Sequence, residues 1–312
     1  MTFSKITKHV SFLVVGVISA GSGVILSTPS EAHPLPSSFY DVCILRPVRV
    51  PFGNYKVKGV DGIRYDDAFF PSSNGKMLHG WLFTQPNAKT TVLVSHGIGG
   101  NISSRVDLIH LFLQAGVSVF IYDYQGYGRS EGTASLRNVI QDGQAAYTYL
   151  TDNRGIDPSN IVLAGESLGT GVTCGLSKRV KSAGLILQSP FSSLSQRCAE
   201  VIPFLRSHPT WLEPTDGLEN DSTLRASHPP LLIVHGDEDR TVPVSHAFTL
   251  YNEAVGQKDL LVVHGAGHTG DPALMASPEY LLAVESFLRK LESNATLAVR
   301  PKTNAPGIPV TY

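Results

Sequence analysis

The sequence predicts an α/β fold in which a mostly parallel sheet carries helices on both faces. From Thr90 onward, short apolar runs alternate with segments of helical length and spacing. The apolar runs are continuous rather than alternating in polarity, which is typical of strands buried on both faces. With 312 residues and a hydrophobic content of 42%, the chain can bury a full core. Strands that alternate with helices favour a parallel, layered sheet.

The first two elements are predicted to be an antiparallel hairpin. Ile63–Phe70 and Met77–Phe83 are strand-like, and a Pro-Ser-Ser-Asn-Gly spacer with strong turn chemistry lies between them. The later strands are predicted over Thr91–Ser95, Val117–Tyr122, Ile161–Ala164, Leu185–Gln188, Leu231–His235 and Leu260–His264. Helices are predicted over Arg105–Gln114, Ser135–Thr151, Leu168–Val180, Val244–Ala254 and Pro278–Leu291.

These elements define one main domain over residues 63–293. It is preceded by an irregular, proline-containing lead-in over residues 33–62 and followed by a loose tail over residues 294–312. The one long interruption, over about 190–229, holds apolar segments too hydrophobic for a solvated loop. We expect one or two short helices there, forming a small lid over the carboxyl edge of the sheet, which either only packs or also lines a substrate pocket.

Residues 1–32 have the features of an export signal. Lys5 and Lys8 precede an uncharged, apolar stretch from Val10 to Leu26, and small residues at Ser30 and Ala32 suit a signal peptidase. The alternatives are an uncleaved anchor of about 17 residues, which is short for a membrane span, and a buried core helix. A cleaved signal and an uncleaved anchor both place the rest of the chain outside the cytoplasm. An uncleaved anchor would also hold the protein at the membrane.

Composition argues against several other classes of function. The net charge of −1 comes without a run of basic residues, so we expect no nucleic-acid partner. Three cysteines are too few for a disulfide scaffold; Cys43 and Cys198 are a candidate bridge that the sequence leaves open, and Cys174 is expected to be a buried thiol. No cysteine or histidine spacing suits zinc, and we expect no metal and no cofactor.

The pattern G-x-S-x-G, which marks the nucleophile of many hydrolases, occurs twice. In Gly165–Gly169 an apolar strand meets the first glycine directly and a helix of small residues follows, as a nucleophile elbow requires. In Gly128–Gly132, Tyr124–Arg129 separates the strand from the serine. Ser167 is therefore the predicted nucleophile, and Ser130 is predicted to be a loop residue.

A serine nucleophile needs a base and an acid that orients it, in the chain order serine, acid, histidine. Asp239 follows a late strand and is the predicted acid, with Asp237 in reserve and Glu238 expected to face solvent. His268 lies on the loop after the last strand and is the predicted base, whereas His264 ends that strand and is expected to be structural.

Backbone amides are predicted to bind the oxyanion. The glycine-rich loop after Thr91–Ser95 offers the N–H of Ile98, and the elbow offers that of Leu168. Gly265–Gly270 also matches the dinucleotide pattern G-x-G-x-x-G, but only one helix and a tail follow, so a nucleotide site is not expected.

Seven blocks occur in order along the chain: Asn-Gly-Lys-Met-Leu-His-Gly-Trp, Ser-His-Gly, Tyr-Asp-Tyr-Gln-Gly-Tyr-Gly-Arg-Ser, Gly-Glu-Ser-Leu-Gly, Gln-Ser-Pro-Phe-Ser-Ser, His-Gly-Asp-Glu-Asp-Arg-Thr-Val-Pro and Gly-Ala-Gly-His. Together they resemble the α/β-hydrolase superfamily and, within it, the Bem46-like group of ABHD13- and ABHD17-type serine hydrolases. The resemblance implies an α/β-hydrolase fold with an eight-stranded sheet whose second strand is antiparallel, and it makes the Ser130 block an ordinary loop. The sequence departs from the family pattern at two places. Gln125 stands where arginine is common, and we expect altered loop packing there. His268 is followed by Thr-Gly-Asp instead of directly by Asn or Asp, and we expect an altered pocket wall beside the base.

The expected function is that of an exported serine hydrolase that cleaves carboxylic esters or thioesters of a small-molecule or lipid-like acyl substrate. The alternatives are a serine peptidase of the same fold and a non-catalytic binding protein. The sequence leaves the substrate and the oligomeric state open.

Overall fold

One eight-stranded sheet organises the computed structural model, which describes residues 41, 44–49, 60–201 and 218–299. The strand order is β1-β2-β4-β3-β5-β6-β7-β8. The strands are β1 (Tyr65–Pro71), β2 (Met77–Phe83), β3 (Thr91–Ser95), β4 (Ser118–Asp123), β5 (Ile161–Glu166), β6 (Gly184–Gln188), β7 (Leu231–Gly236) and β8 (Lys258–Val263). β2 is antiparallel to both of its neighbours, β1 and β4, and the remaining pairs are parallel. The predicted fold class and antiparallel second strand are confirmed.

The helices follow the strands in alternation. They are α1 (Val106–Gln114), α2 (Val139–Thr148), α3 (Leu168–Ser177), α4 (Leu194–Val201), α5 (Asn220–Leu224), α6 (Ser245–Glu253), α7 (Pro272–Met275) and α8 (Pro278–Val299). Short turns of 3-10 helix, Ile102–Ser104 and Pro158–Asn160, and a π-helical turn, Tyr149–Asn153, complete the elements of the described chain.

The central strands contribute side chains to two separate hydrophobic cores, one on each face of the sheet. On β3, Leu93 belongs to one core and its neighbours Val92 and Val94 to the other. On β4, Phe120 and Ile121 divide in the same way. Successive side chains of a strand point to opposite faces, so a strand covered on both faces is apolar at every position. That requirement produces the continuous apolar runs of the sequence.

The lead-in contributes more to the core than the sequence suggested. Leu45 is fully buried, and its carbonyl accepts hydrogen bonds from the Gly99 amide and the Tyr127 hydroxyl. Pro47 and Arg49 form isolated bridges to Gly100 and Gly128. This part of residues 33–62 therefore packs on the loops that follow β3 and β4.

Two predicted helix boundaries differ from the structure by four residues or more. α2 begins at Val139 instead of Ser135, because Ser135 sits in a turn in which its Oγ accepts from the Arg137 amide. α8 continues to Val299, past the predicted end at Leu291 and into the predicted loose tail. No glycine or proline interrupts this stretch to end the helix earlier.

The structure also locates the two departures from the family pattern. The Gln125 side chain donates to Asp142, whose carboxylate is fully buried. Asp271 caps α7 by accepting from the Ala273 amide.

The lid region contains α4 and α5, and residues 202–217 between them lie outside the described part. Residues 1–32, Cys43 and 300–312 also lie outside it, so the export segment, the bridge to Cys198 and the end of the tail stay predictions. No helix within the described ranges is long and apolar enough to cross a membrane.

Candidate active site

Ser167 occupies a sharp turn between β5 and α3. Its φ of 50° and ψ of −117° lie in the left-handed half of conformational space, which a residue with a side chain rarely adopts. The turn also requires glycine on both sides. A Cβ on Gly165 would lie 2.3 Å from the Gly169 carbonyl oxygen, and a Cβ on Gly169 would lie 1.9 Å from that of Ser95. The predicted elbow geometry is thus present, with Ser167 at the amino end of a helix.

His268 and Asp239 meet this serine in a continuous chain of hydrogen bonds. His268 Nε2 lies 3.0 Å from Ser167 Oγ, and His268 Nδ1 lies 2.6 Å from Asp239 Oδ2. A carboxylate only accepts, so Nδ1 carries the proton and leaves Nε2 free to accept from the Ser167 hydroxyl. The structure therefore brings together the three side chains that the sequence selected, from the ends of β5, β7 and β8.

Asp239 is held as an ionised acceptor. The amides of Thr241 and Val242 each donate to its Oδ1 at 2.8 Å, and His235 Nε2 lies 3.2 Å from its Oδ2. Burial acts to raise the pKa of Asp239, but the hydrogen bonds from His235 and His268 outweigh it, so the pKa lies well below the ordinary value of 3.8. An ionised Asp239 fixes the orientation and the tautomer of the His268 ring.

The two predicted oxyanion donors belong to the segments on either side of the elbow turn, the helix that begins after Ser167 and the loop that runs beside it. Leu168 is the first residue of α3, and the loop of Ile98 follows β3, which pairs with β5 in parallel. A Cβ on Gly97 would lie 3.3 Å from Ser167 Cβ, so this loop runs directly beside the serine. Within the described chain, no protein group accepts a hydrogen bond from either the Ile98 or the Leu168 amide.

The rejected alternatives lie elsewhere. Ser130 is buried, its Oγ donating to the Asp123 carbonyl at 2.6 Å and accepting from the His79 amide at 2.9 Å. Asp237 instead pairs with His264 at 2.7 Å, and the His264 side chain is 96% exposed. The reserve acid and the second histidine thus form a surface pair that does not contact Ser167, and Glu238 is exposed, as expected.

Two supporting residues, Glu166 and Arg105, were not singled out from the sequence. Glu166, between Gly165 and Ser167, forms an ion pair with Arg105, which the sequence placed only at the start of a helix. Buried His96 contacts the Gly97 carbonyl, and burial, with the Arg105 charge as a second cause, lowers its pKa from 6.5 to about 3. The available signal was the charged residue at the end of an apolar strand, because a buried carboxylate requires a partner. No cluster of three or more metal-ligating side chains occurs in the described part of the chain.

Comparisons with known proteins identify relatives of this chain. A family model described as serine aminopeptidase, S33, matches residues 86–217. An uncharacterized protein of Mycobacterium tuberculosis is 34% identical over 224 residues, which are 71% of this chain and 78% of that protein. The alpha/beta hydrolase domain-containing protein 17B of Homo sapiens is 34% identical over 184 residues, 59% of this chain. The match spans 62% of that human protein, less than two thirds of its length.

Solved structures give the same fold. An esterase of Pyrococcus furiosus, Pf2001, superposes with a TM-score of 0.65 and 23% identity, over 80% of this chain and 98% of that one. At this identity the likeness concerns the fold alone. The sequence relatives supply the family: the chain belongs to the α/β-hydrolase superfamily, in the family of the ABHD17-type hydrolases.

Proposed function

We propose that this protein is a serine hydrolase that cleaves carboxylic esters or thioesters through an acyl-enzyme, with Ser167 as nucleophile, His268 as general base and acid, and Asp239 as the orienting acid. The observation that carries the proposal is the unbroken Ser167–His268–Asp239 hydrogen-bond chain, which starts at a serine in a strained elbow. A serine hydroxyl is weakly nucleophilic at neutral pH, and this arrangement is the one that activates it.

In the acylation step, Ser167 Oγ forms a bond to the acyl carbon while His268 Nε2 takes the hydroxyl proton. The carbonyl π electrons move onto oxygen, and the Ile98 and Leu168 amides stabilise the resulting oxyanion. Collapse of this intermediate breaks the bond to the alkoxide or thiolate, which receives the proton from His268. Water then attacks the acyl-enzyme in the same way, with His268 again acting as base, and releases the acid.

Esters and thioesters fit the described surroundings of Ser167 better than peptides with a free amino terminus. An aminopeptidase binds the substrate ammonium group, which calls for a carboxylate with no other charged partner. The carboxylates of Glu166 and Asp239, which lie beside Ser167 and His268, are already paired, Glu166 with Arg105 and Asp239 with His268. Because the matching family model is described as serine aminopeptidase, peptide hydrolysis is the alternative reaction to test.

A fluorophosphonate probe tests the nucleophile. We expect the wild type and Ser130→Ala to be labelled and Ser167→Ala to be unlabelled. Labelling that survives Ser167→Ala would refute the assignment, and an unlabelled wild type would favour a non-catalytic binding protein. Ser130→Ala is the matched control, because it removes a hydroxyl from the other copy of the same pattern.

A substrate panel then tests the reaction class. We expect p-nitrophenyl esters and matched thioesters to be hydrolysed, and aminoacyl p-nitroanilides to be hydrolysed at least 10²-fold more slowly in kcat/KM. The reverse order would assign a peptidase.

We also propose that the protein is exported, with residues 1–32 as a cleaved signal or a retained anchor. The charge and apolar pattern of that segment support this. The mass of the mature chain, recovered from the cell fraction in which it accumulates, distinguishes cleavage from retention, and an intact chain in the cytoplasm would refute export.

A further inference from the structure

The peptide that carries the Ile98 amide is fixed by the side chains of its neighbours. The Gly97 N–H donates to Glu166 Oε1 at 2.9 Å. The Gly97 carbonyl, which belongs to the same peptide unit as the Ile98 N–H, accepts from His96 Nδ1 at 2.7 Å. Because the amide and carbonyl of one peptide are coplanar, holding that carbonyl also sets the direction of the Ile98 N–H.

Arg105 holds the next two carbonyls. Its Nη2 donates to the Ile98 oxygen at 3.4 Å and to the Gly99 oxygen at 3.2 Å. The Gly99 amide donates to Leu45 at 3.1 Å. Every backbone N–H and C=O from Gly97 to Gly99 therefore has a protein partner in the described chain except the Ile98 N–H. Buried or half-buried backbone groups are normally all paired, so the single exception identifies the donor that is left for a ligand.

Two of the side chains that hold this loop, Arg105 and Glu166, are paired with each other. The Arg105 guanidinium contacts the Glu166 carboxylate, and their side chains are 15% and 2% exposed. Glu166 directly precedes Ser167 in the elbow. One carboxylate thus connects the residue before the nucleophile with the residue before the oxyanion donor, and Arg105 neutralises it.

We propose that Glu166 and Arg105 are positioning residues that fix the distance between the Ser167 hydroxyl and the Ile98 amide, and so determine how well the oxyanion is bound. This inference rests on the proposed function. Neither side chain touches the substrate in this scheme, and both act through the loop. Loss of one oxyanion donor costs about 10²- to 10³-fold in kcat, so a displaced donor should cost part of that.

The test compares Glu166→Gln and Arg105→Lys with the wild type. Glutamine can still accept from the Gly97 amide, but its neutral amide no longer pairs with the Arg105 charge. Lysine keeps the charge, but a single ammonium group cannot replace the planar fork that reaches Glu166 and two carbonyls. We expect kcat to fall about 10- to 100-fold in each, with KM within about threefold, since the interaction matters in the transition state.

Asp142→Asn is the matched control. Asp142 is also a buried carboxylate held by hydrogen bonds, from Ser72 and Gln125, but it contacts none of the residues of the elbow or the loop. We expect a lower melting temperature with kcat unchanged. Because Arg105 is partly exposed, Arg105→Lys remains informative if Glu166→Gln folds poorly, and thermal unfolding of every variant identifies such a case.

A trifluoromethyl ketone gives a readout that a purely structural role would not change. Ser167 Oγ adds to its carbonyl carbon, His268 takes the proton, and the oxygen becomes an oxyanion in the proposed hole. We expect its inhibition constant to rise by the same factor as kcat/KM falls in Glu166→Gln and Arg105→Lys. Since both residues act on one loop, the double variant should lose little more kcat than the more impaired of the two single variants.

Two failures are distinguishable. If the wild type is neither labelled nor active, the proposed function is wrong, and the positioning role fails with it. If the wild type is active but either folded variant keeps kcat and ketone affinity within about twofold of the wild type, only the positioning inference is overturned.

Discussion

Replacing Gly169 with alanine should separate the nucleophile from the oxyanion loop. The added Cβ would lie 1.9 Å from the Ser95 carbonyl oxygen, 2.6 Å from its carbon and 2.9 Å from the His96 oxygen. Relieving the first contact alone requires a shift of about 1.5 Å to reach ordinary contact distance. All three atoms belong to backbone, at the end of β3, so no side chain can rotate away. Either α3 or the loop after β3 must move.

The magnitude follows from that displacement. Misplacement by about 1 Å in an active site can cost about 10²-fold, and α3 begins with the Leu168 amide while the loop carries that of Ile98. We therefore expect kcat/KM to fall by at least about 10²-fold, mainly through kcat. Overpacking of this kind costs about 1–3 kcal/mol of unfolding free energy, reduced by up to about 1 kcal/mol because alanine favours a helix over glycine.

Gly171→Ala is the matched control on the same helix. Its added Cβ would approach only the side chains of Leu218 and Phe191, each at 3.0 Å, and these can adjust. We expect kcat/KM within a fewfold of the wild type. Ester hydrolysis and urea denaturation measure both variants side by side. A Gly169→Ala protein with the activity and stability of Gly171→Ala would show that the elbow and the loop are not in the tight contact on which this reasoning depends.

Three further changes test individual contacts. Asp239→Asn should lower kcat/KM by about 10⁴-fold, because an amide no longer enforces the His268 tautomer. The folded-state pKa of Asp239 lies below its ordinary value of 3.8. Its ionisation therefore stabilises the fold above that pH, and the stabilisation is lost on acidification. Urea titrations should show that the difference in unfolding free energy between the wild type and Asp239→Asn narrows below about pH 4, and a constant difference would contradict the assigned shift. Ser130→Ala should cost about 1–3 kcal/mol by removing the hydroxyl that accepts from the His79 amide while kcat is unchanged, and a large loss of kcat would place Ser130 in the chemistry. His264→Ala should leave the unfolding free energy unchanged because its pair with Asp237 is exposed, and a clear shift in thermal melting would refute this.

The strands and the elbow were predictable because each depends on short-range constraints. β2 and β3 were predicted at their observed bounds, and the other strands differ by one or two residues at their ends. Burial on both faces requires apolar side chains along a whole strand, so the sequence of a central strand is itself the evidence. Around Ser167, the strained turn admits only small neighbours, so Gly165 and Gly169 mark it locally.

The supporting contacts were less predictable because they join distant parts of the chain. Leu45 reaches the loop at Gly99 from a proline-containing segment with no periodic pattern, and only the folded structure brings them together. Arg105 begins a predicted helix, and nothing local indicates that its side chain reaches Glu166. Ion pairs of this kind depend on tertiary placement and not on sequence spacing. The sequence therefore shows that Glu166 is a charged residue at the end of an apolar strand, but it does not show which residue neutralises it.

The sheet register explains why these two contacts converge on one place. β3 and β5 are neighbours, and Ser95 pairs with Gly165 at the ends of the two strands. The loops that leave them therefore start side by side, and one carries Ile98 while the other carries Ser167. The missing side chain at Gly169 sets how closely the two loops can approach, and the hydrogen bond from the Gly97 amide to the Glu166 carboxylate limits how the first loop can rotate. A nucleophile and an oxyanion donor placed on separate loops need both limits, because binding in the transition state depends on distance and on direction. This predicts that Gly169→Ala and Glu166→Gln impair catalysis in different ways: the first should also lower stability through backbone displacement, whereas the second should act mainly on kcat.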